Sequence, residues 1–197
     1  MTTIINLYGG PGIGKSTVAA HLFFLMKKHG QDVELVREYA KEWAWQGKKI
    51  EQYDQFYILG HQIHRETSLY GKVDFIVTDS PVLLNLAYAS KYCASSVARG
   101  IGEAIHAFYR QCEEDGHLHI HVLLERTHVY VQDGRYENEQ QAIEIDKLTQ
   151  QLLVDARFSY ETVPSDVDVL RLFDGIVAYA RSAQLRRSVL GCDTCTT

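Results

Sequence analysis

The chain has 197 residues, 46% hydrophobic and 23% charged, the balance of an ordinary globular protein with length for one well-buried α/β domain but short for two. A net charge of −5 excludes the global basic field that drives non-specific nucleic-acid binding, though not a local basic patch. No signal peptide precedes the first apolar segment, no apolar run approaches the roughly 18 residues of a membrane helix, and four cysteines make no disulfide framework, so a reduced cytoplasmic setting is expected.

In chain order, Ile4–Tyr8 reads as a strand and Ser16–His29 as a helix stopped by Gly30. Val33–Val36 is a second strand, and helical patterns cover Glu38 to Gly47 and Glu51–Tyr70. On the latter, Tyr53, Phe56, Leu59 and Ile63 recur at helical spacing and define the expected core face. Phe75–Thr78 is a third strand, followed by helices at Leu83–Tyr92 and Val97–Cys112. A fourth strand at His119–Leu124, a helix at Gln140–Leu153, a fifth strand at Tyr160–Val163 and a terminal helix at Asp166–Arg186 complete the pattern. Strands alternating with helices predict an α/β fold, a parallel sheet covered on both faces. One domain over 1–187 and a disordered tail over 188–197 are expected.

The stretch YGGPGIGKST at 8–17 joins the first strand to the first helix. It satisfies G-x-x-x-x-G-K-[ST] through Gly9, Gly14, Lys15 and Ser16, with Gly10, Pro11, Gly12, Ile13 and Thr17 completing the loop. Glycines let backbone N–H groups approach phosphate oxygens, and the helix start adds a positive dipole end. Lys15 is expected to reach the β- and γ-phosphates and the Ser16 hydroxyl to ligate Mg²⁺. The loop thus predicts a nucleoside triphosphate.

Other residues narrow the class. Neither Asn-Lys-x-Asp nor Asp-x-x-Gly occurs, which excludes the usual GTPase pattern. After the third strand stands Thr78-Asp79-Ser80-Pro81, with a single acid, which suits metal positioning without deliberate water activation. In open α/β sheets ligands bind at the carboxyl ends of strands, so Arg37, Glu38 and Asp79 are expected to gather near Lys15. Arg37 is a candidate grip on an acceptor oxyanion, and Glu38 a candidate base for the attacking hydroxyl. A solvated Arg-Glu surface pair is the plainer reading. Beyond the fourth strand, Arg126 and Arg135 bracket a loop containing Asp133-Gly134; such arginines can close over a transferring phosphoryl group and stabilise its charge. Exposed, solvated arginines are the alternative there.

On the acceptor side, Tyr39 and Trp43 are pocket candidates and Phe56 is assigned to the core. Lys41, Lys48 and Lys49 lie beside these aromatics, a mixture that also suits a nucleic-acid strand. His117, His119 and His121 share one strand face at its amino end, away from the phosphate edge, and are expected to pack or be solvated there rather than bind metal. Cys192-x-x-Cys195 has zinc-like spacing without a second ligand pair nearby and falls in the expected tail.

The stretches IINLYGGPGIGKSTVAAHLF, VELVREYAKEW, DQFYILGHQIHR, VDFIVTDSP and VYVQDGRYENEQQAIEIDKLTQQLL together resemble the phage-type P-loop kinases that sit beside the kinase domain of nicotinamide riboside kinase, within the nucleoside and nucleotide kinase superfamily. The resemblance covers most of residues 4–163; its first stretch is generic, while Glu-Tyr-Ala, Thr-Asp-Ser-Pro and Asp-Gly-Arg are more particular. It implies a three-layer P-loop kinase fold with five parallel strands and a lid at about 126–140. It also implies ATP with Mg²⁺, the metal held by Ser16 and Asp79, and an acceptor over the second and third strands. Arg37-Glu38 is similar to the Arg-Glu-Pro of thymidylate kinases, whose arginine holds an acceptor phosphate, but here Tyr39 replaces the proline. Lys15, Arg126 and Arg135 are then expected to stabilise the transferring phosphoryl, with Glu38 or Asp79 as base. The implied partner is a nucleoside, nucleotide or modified-base acceptor. Some kinases of similar build are expected to act on 5-hydroxymethyluracil within DNA, and related kinases often dimerise through the helices after the third strand. An ATP-gated binding module or weak ATPase is the rival reading.

Overall fold

The structure is a computed structural model and describes residues 1–131 and 135–192, the side chains at 184 and 187–192 excepted. The expected turn at Asp133-Gly134, Cys195 and the rest of 193–197 lie outside the described residues. Five strands, β1 (Thr3–Tyr8), β2 (Val33–Val36), β3 (Phe75–Thr78), β4 (Leu118–Glu125) and β5 (Tyr160–Pro164), form one sheet. Their spatial order is β2-β3-β1-β4-β5, and every neighbouring pair is parallel. The helices are α1 (Lys15–Lys28), α2 (Ala40–Trp45), α3 (Asp54–Thr67), α4 (Leu84–Tyr92), α5 (Ser95–Glu114), α6 (Glu139–Asp155) and α7 (Val169–Cys192).

β1 is the central strand, and all six of its residues are buried. Both of its faces are covered, which is why TIINLY lacks a strict apolar–polar alternation. Ile5 and Leu7 face a core built with Leu22 and Met26 of α1 and Phe173 and Ile176 of α7. Tyr8 faces the opposite layer, with Leu59 of α3, Leu83, Ile101 and Ile105 of α5, and Leu153 of α6. The result is the three-layer P-loop arrangement. No described helix is long and apolar enough to cross a membrane.

Two helices differ from the sequence expectation. α7 continues to Cys192, past the expected end at Arg186 and into the expected tail. On α3 the buried residues are Gln55, Ile58, Leu59, Gln62 and Glu66, whereas Tyr53 and Phe56 are 70% and 44% exposed. Phe56 is therefore not core; it lies against Gly100 of α5. The inner side of the helix instead buries Leu59 with Tyr8 of β1 and Ile101 and Ile105 of α5, and the Glu66 carboxylate beside it takes a hydrogen bond from the Tyr70 hydroxyl.

Register brings the strand ends level. Asn6 pairs with Thr78, Val36 also pairs with Thr78, and Tyr8 pairs with Leu123. The residues that follow these strands therefore emerge on one edge, where the chain order reverses about β1.

Candidate active site

The loop from Gly9 to Gly14 must turn sharply from β1 into α1. Gly9, Gly12 and Gly14 adopt φ of 136°, 72° and 103°, a region open to glycine and strained for other residues. Ile13, only 2% exposed, anchors the loop to the core. α1 begins at Lys15 after Gly14, so its first N–H groups face the loop rather than a preceding turn.

Lys15 Nζ donates to the carbonyls of Gly9 at 2.6 Å and Gly10 at 2.9 Å, which folds the side chain back over the loop. Burial holds its ammonium below the ordinary lysine value, while Glu38, Asp79 and Asp146 pull it back up. Asp79, 3% exposed, follows β3, and its Oδ1 accepts the Glu38 N–H at 2.9 Å, tying the ends of β2 and β3 together. The Glu38 carboxyl reaches the cleft but is packed among protein atoms. Burial raises its pKa, Lys15 opposes this, and Asp79 adds to the rise.

A further carboxyl, that of Glu137, joins this group. It is 7% exposed, burial raises its pKa, and Lys15 and the Tyr92 hydroxyl hydrogen bond pull the other way. Glu137 was not singled out from sequence, although it stands two residues beyond Arg135 in the expected lid. Tyr130 was missed too. Its ring lies against Gly12, where a Cβ would come within 2.8 Å, and its hydroxyl donates to the Glu137 carbonyl at 2.5 Å. The Arg126 and Arg135 guanidinium groups each sit 5.7 Å from that ring. Arg126 also donates to the Pro11 carbonyl at 2.9 Å and pairs with Asp146 of α6 at 2.9 Å. Arg135 Nη1 donates to the Val131 carbonyl.

Lys15, Glu38, Arg135 and Glu137 line a cleft of about 600 Å³. The phosphate loop from Pro11 to Thr17, including Ser16, forms one side. Trp45, Tyr88, Asn85 and Gln55 form the other, with Lys41 and Lys49 at its rim. Tyr39 and Trp43 lie outside this lining. Tyr39 stacks on His61 at 4.4 Å and 8°, meets Trp43 edge-on at 6.3 Å, and carries the Arg65 guanidinium 4.9 Å above its ring. Arg37 is exposed, and its carbonyl accepts from Arg65 at 3.5 Å. Of the acceptor-side candidates, then, Glu38 faces the loop; Arg37, Tyr39 and Trp43 group on the outer side of α2 and α3.

The loop's positive-φ glycines, the helix start and the buried Asp79 at the end of β3 fit a triphosphate with its metal ion. A family profile described as an AAA domain matches residues 4–169. The chain belongs to that AAA domain family. Two solved structures share the fold of this AAA domain. NadR protein in complex with NR superimposes with TM-score 0.65 at 16% identity, over 91% of this chain and 52% of that one. NadR protein in complex with NAD and AMP-PNP gives 0.67 at 13% identity, over 91% and 49%. The AAA domain thus spans about half the length of each NadR chain. No curated protein sequence matches it. It is a nucleotide-binding P-loop domain that shares its α/β fold with NadR.

Proposed function

We propose that this domain moves the γ-phosphoryl of ATP to a hydroxyl of a nucleoside or nucleotide. The observation that carries the reading is the cleft. Lys15, Glu38 and Glu137 meet at its floor, and about 600 Å³ of lined space stands beside the phosphate loop, room for an acceptor as well as phosphates. An enzyme that only hydrolyses ATP needs water there, not a pocket with Trp45, Tyr88 and Asn85 in its wall.

The phosphate loop would cradle the triphosphate with its N–H groups, and Lys15 would move from the Gly9 and Gly10 carbonyls to phosphate oxygens. Ser16 and Asp79 would hold Mg²⁺, which neutralises phosphate charge when bound. Glu38, its pKa raised by burial, would accept the acceptor's hydroxyl proton, and Asp79 is the alternate base. Arg126, held on the Pro11 carbonyl, and Arg135, in the cleft wall, would stabilise charge on the transferring group. The NR and AMP-PNP held by NadR support a nucleoside acceptor and an adenine nucleotide donor.

A second reading, an ATP-gated module or weak ATPase, draws support from the family's description as an AAA domain. Labelled ATP with Mg²⁺ and a panel of nucleosides, nucleoside monophosphates and hydroxymethylated DNA separates the two. Label in one acceptor, lost on Lys15→Ala, is the expected result. Free phosphate released regardless of acceptor would replace the kinase reading with the second one.

A further inference from the structure

Two carboxamides from different helices line the cleft, Gln55 of α3 and Asn85 of α4. Each residue is only 6% exposed. The Asn85 side chain is anchored, because its Nδ2 donates to the Val82 carbonyl at 3.0 Å. Its Oδ1 takes no hydrogen bond from the described residues, and the Gln55 carboxamide has no hydrogen-bond partner among them. Neither is closed off by protein: the sealed, unpartnered polar atoms lie elsewhere, at Thr3, Asn6, Gln62, Glu66, His119 and Arg126. Trp45 lines the same cleft and is 70% exposed. No ring or cation among the described residues covers its face, unlike Trp43, which Tyr39, Tyr57 and Lys48 surround.

A carboxamide buried to this degree without a partner is unfavourable until a ligand supplies one. A flat ring that stacks on the free indole keeps its edge for hydrogen bonding, and a nucleobase is such a ring. Counting hydrogen-bond groups then narrows the base. Asn85 Oδ1 and Gln55 Oε1 are two acceptors, and Gln55 Nε2 is the free donor group. The matching edge carries two N–H bonds beside an acceptor. Cytosine and adenine supply both from their amino group next to a ring nitrogen; guanine supplies them from N1 and its 2-amino group next to O6. Uracil and thymine in a nucleoside keep a single N–H, at N3, between two carbonyls. One of the two protein carbonyls would then be left unpaired.

We propose that Gln55 and Asn85 read the base of the acceptor, stacked on Trp45, and select a nucleoside or nucleotide whose base bears an amino group. The proposal rests on the reading of the cleft as a kinase's acceptor site and names the class of acceptor. Asn85 sets the choice, since its anchored amide presents only the acceptor. Gln55 can turn its amide over and so contributes affinity more than selectivity.

The test is titration calorimetry with cytidine, adenosine, guanosine, uridine and thymidine, in the presence of saturating AMP-PNP and Mg²⁺. At least one amino-bearing nucleoside should bind about tenfold more tightly than uridine and thymidine. Asn85→Leu removes the anchored acceptor, so that preference should fall below about twofold. Gln55→Met should weaken the preferred nucleoside about tenfold. Asn85→Ser, whose hydroxyl donates as well as accepts, serves if the leucine variant does not fold. The proposal is overturned by uridine or thymidine binding as tightly as the best amino nucleoside. A preference that survives the Asn85 change, or full affinity in Gln55→Met, overturns it equally. A wild type that binds and discriminates but transfers no phosphoryl group counts against the kinase reading alone. Transfer from ATP to nucleosides without discrimination counts against this proposal alone, and no nucleoside binding overturns both.

Discussion

Gly10 sets how near α6 can come to the phosphate loop, and with it whether Asp146 touches Arg126. Its neighbours are a backbone carbonyl and a carboxylate already hydrogen-bonded, neither free to yield. Gly10→Ala should therefore cost about 1–3 kcal/mol of stability as an overpacked site and weaken nucleotide binding with it. A denaturant melt that matches the wild type would show that α6 can retreat freely. At this scale the sequence was legible where residues are contiguous: Gly9 to Thr17 could be read as a phosphate loop because the spacing alone specifies backbone shape. Glu137, Tyr130 and Asp146 were not legible. Each acts through a contact more than 110 residues away in sequence, as the Gly10–Asp146 bond illustrates with a separation of 136.

The polar layer under α3 is an element-scale property. Glu66 is fully buried, and Tyr70 donates to its Oε1 at 2.6 Å. On the sheet beneath, Tyr8 and His121 share a hydrogen bond of 2.9 Å, and Tyr8 lies 3.4 Å from the Tyr109 hydroxyl. His119 Nδ1 lies 3.2 Å from the Asn6 amide. Burial raises the Glu66 pKa from 4.5 to about 7. The fold thus holds that proton more tightly than the unfolded chain, a contribution complete below about pH 4.5 and lost as the pH rises through 7. Burial lowers His119 to about 3 and His121 to about 4, a contribution present above about 6.5 and lost as the pH falls. The two effects oppose each other over the same range, so the readout is the difference between variant and wild type. Glu66→Gln should gain about 3 kcal/mol on the wild type between pH 5 and pH 8, followed by urea melts at each pH. A difference that stays flat with pH would show that Glu66 does not titrate there. The helix itself could be read from sequence; its inner face could not, because apolar spacing at Tyr53 and Phe56 favoured a side that the polar layer left outside.

At the scale of the whole molecule, the reversal of strand order about β1 collects the phosphate loop, Glu38, Asp79 and Arg126 on one edge of the sheet. A ligand bound there bridges segments from both halves of the chain, so nucleotide binding should stabilise the domain as one unit. AMP-PNP with Mg²⁺ at a hundred times its Kd adds about 2.7 kcal/mol by linkage, a rise in Tm of about 5–10 °C for a chain of this size. Lys15→Ala should lose most of that rise in a calorimetric scan. An equal rise in the variant would place the nucleotide away from the loop.

The alternation of strands and helices, the five-stranded parallel sheet and the triphosphate loop were determined by the sequence itself, because each depends on local periodicity or on adjacent residues whose types dictate backbone shape. Which aromatics enter the cleft depended on tertiary structure: Trp45 and Tyr88 line it, while Tyr39 and Trp43 stack with His61 and Arg65 outside. α3 marks that division: its inner face buries Gln55, Ile58 and Leu59, and Tyr39 and Trp43 gather on its exposed side against Tyr57 and His61. The same holds for the Asp146 link to Gly10 and Arg126. One helical position becomes the neighbour of two loop residues only after β4 and β1 pair and α6 docks, and no spacing within one segment encodes that distance.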